Sequence, residues 1–195
     1  MSLTAPNARV EARRERLTDA AQAVFARDGL RGASMERIAA EAGVARATAY
    51  AYFSDKEDAF RQVAARLAEQ MAEAVQAALA LPEPPAARIR ASLQAKHELA
   101  FRVARQSPYA ADLFAAKDRL AGPAFAAADE RIVAALAAAL AELGVADASA
   151  AARVLLAAST GVANGAADIG TLTAQLALLV DAMVRGLICP VLFGP

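Results

Sequence analysis

Alanine-rich runs with few β-branched residues constrain this chain more than any other feature. Alanine is the strongest helix former. It inflates a hydrophobic fraction of 57%, while aromatics make up only 5% and Trp is absent. The expectation is an all-helical fold, and 195 residues can bury a sizeable core in one domain or two small ones. Lys and Arg (21) balance Asp and Glu (21), so no global positive field announces a nucleic-acid partner, and any such partner must be held by local charge. The single Cys189 excludes an internal disulfide framework and fits a reducing compartment. The N-terminal run MSLTAPNARVEARRERL has no apolar h-region, which argues against secretion. The most apolar stretch, 154–167, is shorter than the roughly 20 residues a bilayer needs and carries Ser159, Thr160 and Asn164. A cytoplasmic protein with no membrane partner is expected.

Breakers divide the chain. A first helix is expected over about 10–27, burying Leu17, Ala21, Val24 and Phe25, with Asp28-Gly29 ending it. Ser34 is a good N-cap for a second helix at about 35–42; Gly43 then opens a turn, and a third helix spans about 46–53. Ser54 and Glu57 form an S-x-x-E capping box for a fourth helix that runs to about residue 81. Its inward stripe is Phe60, Val63, Ala64, Leu67, Met71, Val75 and Ala78. Pro82-Glu83-Pro84-Pro85 stops it. A fifth helix is expected at about 86–106, with Ile89, Leu93, Ala100 and Val103 inward; Ser107-Pro108 starts a sixth and Gly122-Pro123 a seventh that ends at Gly144. Two more, over about 148–167 and 172–187, bring the expected total to about nine.

The segment from Ser34 to Phe60, SMERIAAEAGVARATAYAYFSDKEDAF, holds two short helical patterns around one glycine. Ile38, Ala39, Ala42 and Val44 form one apolar set. Ala39 is small where two helices would cross closely, and Gly43 permits the positive φ of a tight turn. This is helix-turn-helix logic, in which one helix braces another whose exposed face enters a major groove. A plain helical hairpin in an alanine-rich bundle would share these residues. The third helix separates the two readings: Arg46, Ala47 and Tyr50 share one side of it, and Ala49 and Phe53 the other. A long donor, a small residue, a hydroxyl and a tyrosine suit base edges and phosphates.

The run Ile38-Ala39-(x)2-Ala42-Gly43-Val44, then Thr48-(x)-Tyr50-(x)-Tyr52-Phe53-(x)2-Lys56-Glu57, closely resembles the DNA-binding domain of the tetracycline-repressor (TetR) family. The resemblance implies an all-helical homodimer: an N-terminal three-helix domain at 1–54, with its helix-turn-helix at 34–53, and a ligand-binding and dimerisation domain at 55–195. It implies that Arg46, Ala47, Thr48 and Tyr50 face the major groove. Ser34 is placed against a phosphate, and Tyr52 and Lys56 look like further phosphate contacts. Arg13 and Arg14 either reach the DNA backbone or form a solvated run paired with Glu11 and Glu15. Three positions depart from the family pattern. Ala45 stands where Ser or Thr usually caps the recognition helix, a loss of about 1 kcal/mol that predicts poor order without DNA. Ala49 replaces a bulky aliphatic, and Ala51 a polar residue.

An enzyme reading finds little support. His97 is the only histidine, no Gly-rich phosphate loop is present, and no His/Cys/carboxylate cluster has metal-ligand spacing; neither cofactor nor metal is expected. The two final helices are apolar on more than one face, which points to a second subunit; Leu155, Val162, Leu172, Leu176, Leu179 and Met183 are the expected interface. Lys96 falls on the apolar side of the fifth helix with Ser92 beside it, and Asp129 falls among Phe125, Ile132 and Leu136 on the seventh. Lys96 either carries its head to water, pairs with Asp129, or lines with it an apolar ligand cavity helped by Thr160 or Asn164. The function read from the sequence is a regulator binding a palindromic operator on double-stranded DNA, as a ligand-responsive repressor controlled by a small organic molecule. A ligand-independent or activating regulator and an all-helical structural or enzymatic protein are the alternatives.

Overall fold

Eight helices order the residues that the computed structural model describes, 5–105 and 107–188. They are α1 (Ala5–Gly32), α2 (Met35–Glu41), α3 (Arg46–Tyr50), α4 (Lys56–Leu79), α5 (Pro85–Arg105), α6 (Ala110–Glu142), α7 (Ala148–Gly165) and α8 (Ile169–Ile188). Cys189 and Gln106 lie outside the described residues. The chain divides into two compact units, Met1–Leu67 with Val103–Phe125, and Ala68–Arg102 with Ala126–Pro195.

In the first unit α1 packs on α2 and α2 on α3. Their core is Leu17, Ala21, Val24, Phe25, Met35, Ile38, Ala39, Ala49, Phe53 and Phe60, and the first part of α6 adds Ala116 and Ala121. Phe25 and Phe60 meet edge to face at 5.4 Å, the geometry their ring quadrupoles favour. Regular helix in α1 breaks where Asp28-Gly29 predicts: Gly29 has φ 67° and ψ 174°. A side chain there would also clash, since a Cβ would sit 2.9 Å from the Tyr109 ring.

Three local expectations are corrected. The box that starts α4 is Asp55 with Asp58, not Ser54 with Glu57. The Asp55 carboxylate accepts from the Asp58 N–H at 2.7 Å, and the Asp58 carboxylate accepts from the Ser54 N–H at 2.9 Å. Helical geometry begins at Lys56, which makes Asp55 the cap. α3 ends at Tyr50 because the N–H groups of both Tyr52 and Phe53 converge on the Ala49 carbonyl, which closes the turn. Gly122-Pro123 starts no helix, since α6 runs through Pro123 without a break. Proline there removes one backbone bond at a cost of about 3 kcal/mol. The alanine-rich flanks and the apolar residues buried on either side, from Ala116 to Leu140, hold the helix together.

The second unit buries Met71, Val75 and Leu79 of α4, Ile89 and Leu93 of α5, Ile132, Leu136 and Leu140 of α6, and Leu155, Leu172, Leu176 and Val180 of the last pair. α7 packs on α8. Asp147 caps α7 by accepting from the Ala150 N–H at 3.0 Å, and Asp168 accepts from the Thr171 N–H at 2.7 Å at the start of α8. Leu155, Leu172 and Leu176, expected at a subunit interface, are already buried within the single chain. Val162, Leu179 and Met183 are half-buried. Ile169–Leu187 is long and apolar enough to cross a membrane by length and composition. Within the unit, its Leu172, Leu176, Val180 and Val184 are buried, and Asp181 forms an ion pair with Arg90.

His97 is buried, and its Nε2 lies 2.9 Å from the Ser159 hydroxyl oxygen. Burial, and then the neighbouring Lys96 charge, push its pKa from 6.5 down to about 3. Between these values an unfolded chain takes up a proton that the folded chain refuses, so acidification over this window destabilises the fold. For His97→Gln, urea unfolding between pH 6.5 and 3 is expected to give a stability slope shallower than wild type by at most about 1.4 kcal/mol per pH unit. An unchanged slope contradicts the assignment.

Candidate nucleic-acid interface

Two helices of seven and five residues cannot persist alone, because helix nucleation is costly relative to their few bonds. Each is held by one buried side. α2 buries Met35, Ile38 and Ala39, and α3 buries Ala49, with Phe53 fully buried just beyond it. The turn between them closes through Val44 N–H to Ala39 C=O at 3.0 Å and Gly43 N–H to Ala40 C=O at 3.1 Å, with Gly43 at φ 64°. Ser34 caps α2 as expected, its hydroxyl accepting from the Arg37 N–H at 3.3 Å. Ala45 offers α3 no side-chain cap, yet the helix is formed, with the N–H of Thr48 bonded to the Ala45 carbonyl at 2.9 Å.

Locking one side of α3 fixes what the other side presents. Arg46, Ala47 and Tyr50 are exposed and Thr48 is half-buried. The Arg46 guanidinium lies 5.4 Å from the Tyr50 ring centroid and 2.8 Å from a carboxylate oxygen of Glu36 on α2. The Tyr50 hydroxyl, and then the Glu36 charge, hold the Arg46 pKa above its ordinary value. Glu36 in turn is held below the usual carboxylate range, first by its own backbone N–H, then by the Ser34 hydroxyl, with Arg46 adding to both. Sequence spacing does not single out Glu36, because its contact crosses the turn.

The expected phosphate contacts surround this face with defined supports. The Lys56 ammonium donates to the carbonyls of Arg31 and Ala33, both at 3.2 Å, which ties the start of α4 to the end of α1. An ammonium has three donors, so this leaves one for an anion. Tyr52 is half-buried beneath the Arg14 guanidinium, 5.6 Å from its ring centroid. Gln62, another residue that sequence reasoning misses, accepts from Arg14 at 3.0 Å and donates to the Tyr52 carbonyl at 3.2 Å. Its spacing four residues after Asp58, to which it also donates, is the one available signal. A cluster of Arg27, Asp28, Arg37 and Glu41 links α1 to α2 at its rim, and the Arg37 hydrogen bond is the main cause holding the Asp28 carboxyl below its usual range.

The expected ligand residues are distributed less uniformly. In the second unit Ser92 is buried and donates to the Ile89 carbonyl at 2.8 Å. Lys96 is buried with Asp129 at 4.0 Å. Thr160 donates to the Leu156 carbonyl at 3.0 Å, and Asn164 is exposed. Phe125 belongs to the first unit, packed on its core with the Lys117 ammonium 4.6 Å from its ring centroid. Among the described residues, no group of three or more His, Cys, Asp or Glu is placed to hold a metal ion.

Residues 17–63 match the family described as "Bacterial regulatory proteins, tetR family". No curated protein matches the chain. Solved structures share the fold. A transcriptional regulator from Rhodococcus sp. Rha1 is 23% identical, with TM-score 0.70, over 93% of this chain and 99% of its own. SmeT, the repressor of the Stenotrophomonas maltophilia multidrug efflux pump SmeDEF, is 22% identical, with TM-score 0.66, over 93% of each chain. A SmeT–triclosan complex aligns at 23% identity and TM-score 0.66, over 94% of this chain and 95% of that one.

Because α3 lacks a side-chain cap, Ala45→Ser is expected to raise stability by about 0.5–1 kcal/mol. Thermal unfolding followed by circular dichroism checks this, and an unchanged or lowered midpoint contradicts it.

Proposed function

We propose that this chain, whose N-terminal domain belongs to the tetR family of bacterial regulatory proteins, is a ligand-responsive repressor that binds a palindromic operator as a homodimer. The observation that carries the reading is the division of α3, with Ala49 buried and Arg46, Ala47 and Tyr50 turned outward. Arg46, Ala47, Thr48 and Tyr50 read base edges in the major groove, while Ser34, Tyr52 and Lys56 hold phosphates and set register. Residues 1–54 form the reading domain, and 55–195 the part that dimerises and takes the ligand. The protein acts in the cytoplasm, where its DNA lies.

Dimerisation is supported by apolar surface left over on the last two helices. Val154 is 57% and Leu178 69% exposed, and Val162, Leu179 and Met183 are half-buried. Val154, Met183 and Leu187 line one open apolar depression, and contiguous apolar surface of that kind marks interaction sites. A two-fold dimer presents two recognition helices to a two-fold site, which is why its operator is a palindrome. Ligand control is supported by polar groups set in the apolar second unit, the buried Ser92 and Lys96 with Asp129 4.0 Å from the Lys96 ammonium; Thr160 and Asn164, included in the proposed site, are exposed on α7. The similarity to SmeT, a repressor solved with triclosan, favours a small organic molecule. Ligand binding needs only to favour one of two dimer arrangements to shift DNA affinity.

Selecting duplexes from a random pool with the pure protein tests the reading. A palindromic consensus is expected; Arg46→Ala and Tyr50→Ala change it at particular base pairs by about 1–3 kcal/mol, and Lys56→Ala weakens all sequences alike. Recovery of no consensus contradicts the proposal. For the dimer, Leu178→Glu is expected to halve the mass measured by light scattering without lowering helicity, because the side chain it replaces is outside the core. A monomeric wild type contradicts dimerisation.

A further inference from the structure

We propose that Glu36, on the bracing helix, is a specificity-determining residue of this interface, holding the Arg46 guanidinium on the recognition helix in a single pose for a guanine edge. This role rests on the DNA-binding reading and gives a part in it to a residue that touches no base.

The geometry behind it is a three-membered chain across the turn. The Glu36 carboxylate lies 2.8 Å from Arg46 Nη2; the same guanidinium stacks 5.4 Å from the Tyr50 ring centroid, with Nη2 donating to the Tyr50 hydroxyl at 3.5 Å. Arg46 and Tyr50 are one helical turn apart on α3, whereas Glu36 reaches them from α2. A free arginine side chain samples many rotamers, and ordering it on binding weakens both affinity and discrimination. Anchoring at one nitrogen from the carboxylate and along the face from the tyrosine removes most of that freedom. Of the five N–H donors in its planar fork, the Glu36 carboxylate and the Tyr50 hydroxyl take the two on Nη2, which leaves the two Nη1 hydrogens for a pair of acceptors on one base edge. Bidentate pairing with O6 and N7 of guanine is the commonest specific arginine contact in the major groove.

A carboxylate at a DNA surface also repels phosphates, and without the Arg46 contact that repulsion would be its whole effect. The two roles are separable. Repulsion acts on every sequence alike and grows weaker with salt, whereas positioning acts only at the base pair that Arg46 reads. Surface ion pairs add little to stability, and both side chains are about half exposed or more (62% and 52%), so replacing Glu36 leaves no hole in the core.

Sites are selected with wild type, Glu36→Ala, Glu36→Gln and Arg46→Ala, and affinities are then measured for the selected duplex and its single-base variants. Glu36→Ala is expected to lose roughly ten-fold in discrimination, at the same base pair where Arg46→Ala loses it, and nowhere else. Glu36→Gln, which still offers an acceptor to the guanidinium, retains most of it. Adding Glu36→Ala to Arg46→Ala changes discrimination no further. The assignment is overturned if Glu36→Ala keeps full discrimination at that base pair, shifts affinity equally for all sequences, or alters preference at a different base pair. A wild type that selects no site overturns the DNA-binding reading and this role with it. A wild-type consensus that Glu36→Ala reproduces overturns this role alone.

Discussion

Burial of Ala49 and Phe53 against α1 and α2 is the interaction on which the rest of the candidate interface depends. A helix of five residues has too few backbone bonds to offset its nucleation cost. What holds it is apolar area: a buried phenylalanine side chain contributes about 1.5–3 kcal/mol relative to an exposed one, and Phe53 is fully buried. The anchor selects which side of α3 points away, and that side is the one carrying Arg46, Ala47 and Tyr50. Fold and proposed reading face are thus set by the same few contacts.

Polar contacts around this anchor work as orientation more than as stability. Lys56 bridges the end of α1 to the start of α4 through two carbonyls, and Gln62 links Arg14 to the backbone at Tyr52. Exposed ion pairs such as Arg27–Glu41 and Arg37–Asp28 link α1 to α2 but are worth little singly. In the proposed function Lys56 also meets the DNA backbone, so one side chain serves both positioning and binding.

How far the sequence reveals the molecule varies with the range of the interaction involved. Ser34 as a cap, Gly43 at positive φ, the break at Gly29 and the buried side of α3 are local signals, and each is legible. Gly122-Pro123 misleads, because local punctuation reads as a helix start while buried residues on both sides carry α6 through it. In α8 the leucines lie on two faces, and periodicity alone does not say which face turns inward; Leu172 and Leu176 go to the core, Leu178 to the surface. Lys56, Glu36 and His97 have roles fixed by partners 10 to 62 residues away, and no spacing rule reaches them.

The central claim, that the exposed side of α3 and its flanking phosphate contacts form a DNA-reading surface, is tested most directly by the salt dependence of binding to a selected duplex. With Lys56 of each subunit neutralising one phosphate and both subunits bound, log affinity is expected to fall linearly with log salt, with a slope of about −2 or steeper. Binding to an unrelated duplex should weaken in parallel and remain at least about a thousand-fold poorer at physiological salt. Affinity that is flat with salt, or equal for both duplexes, would contradict the claim.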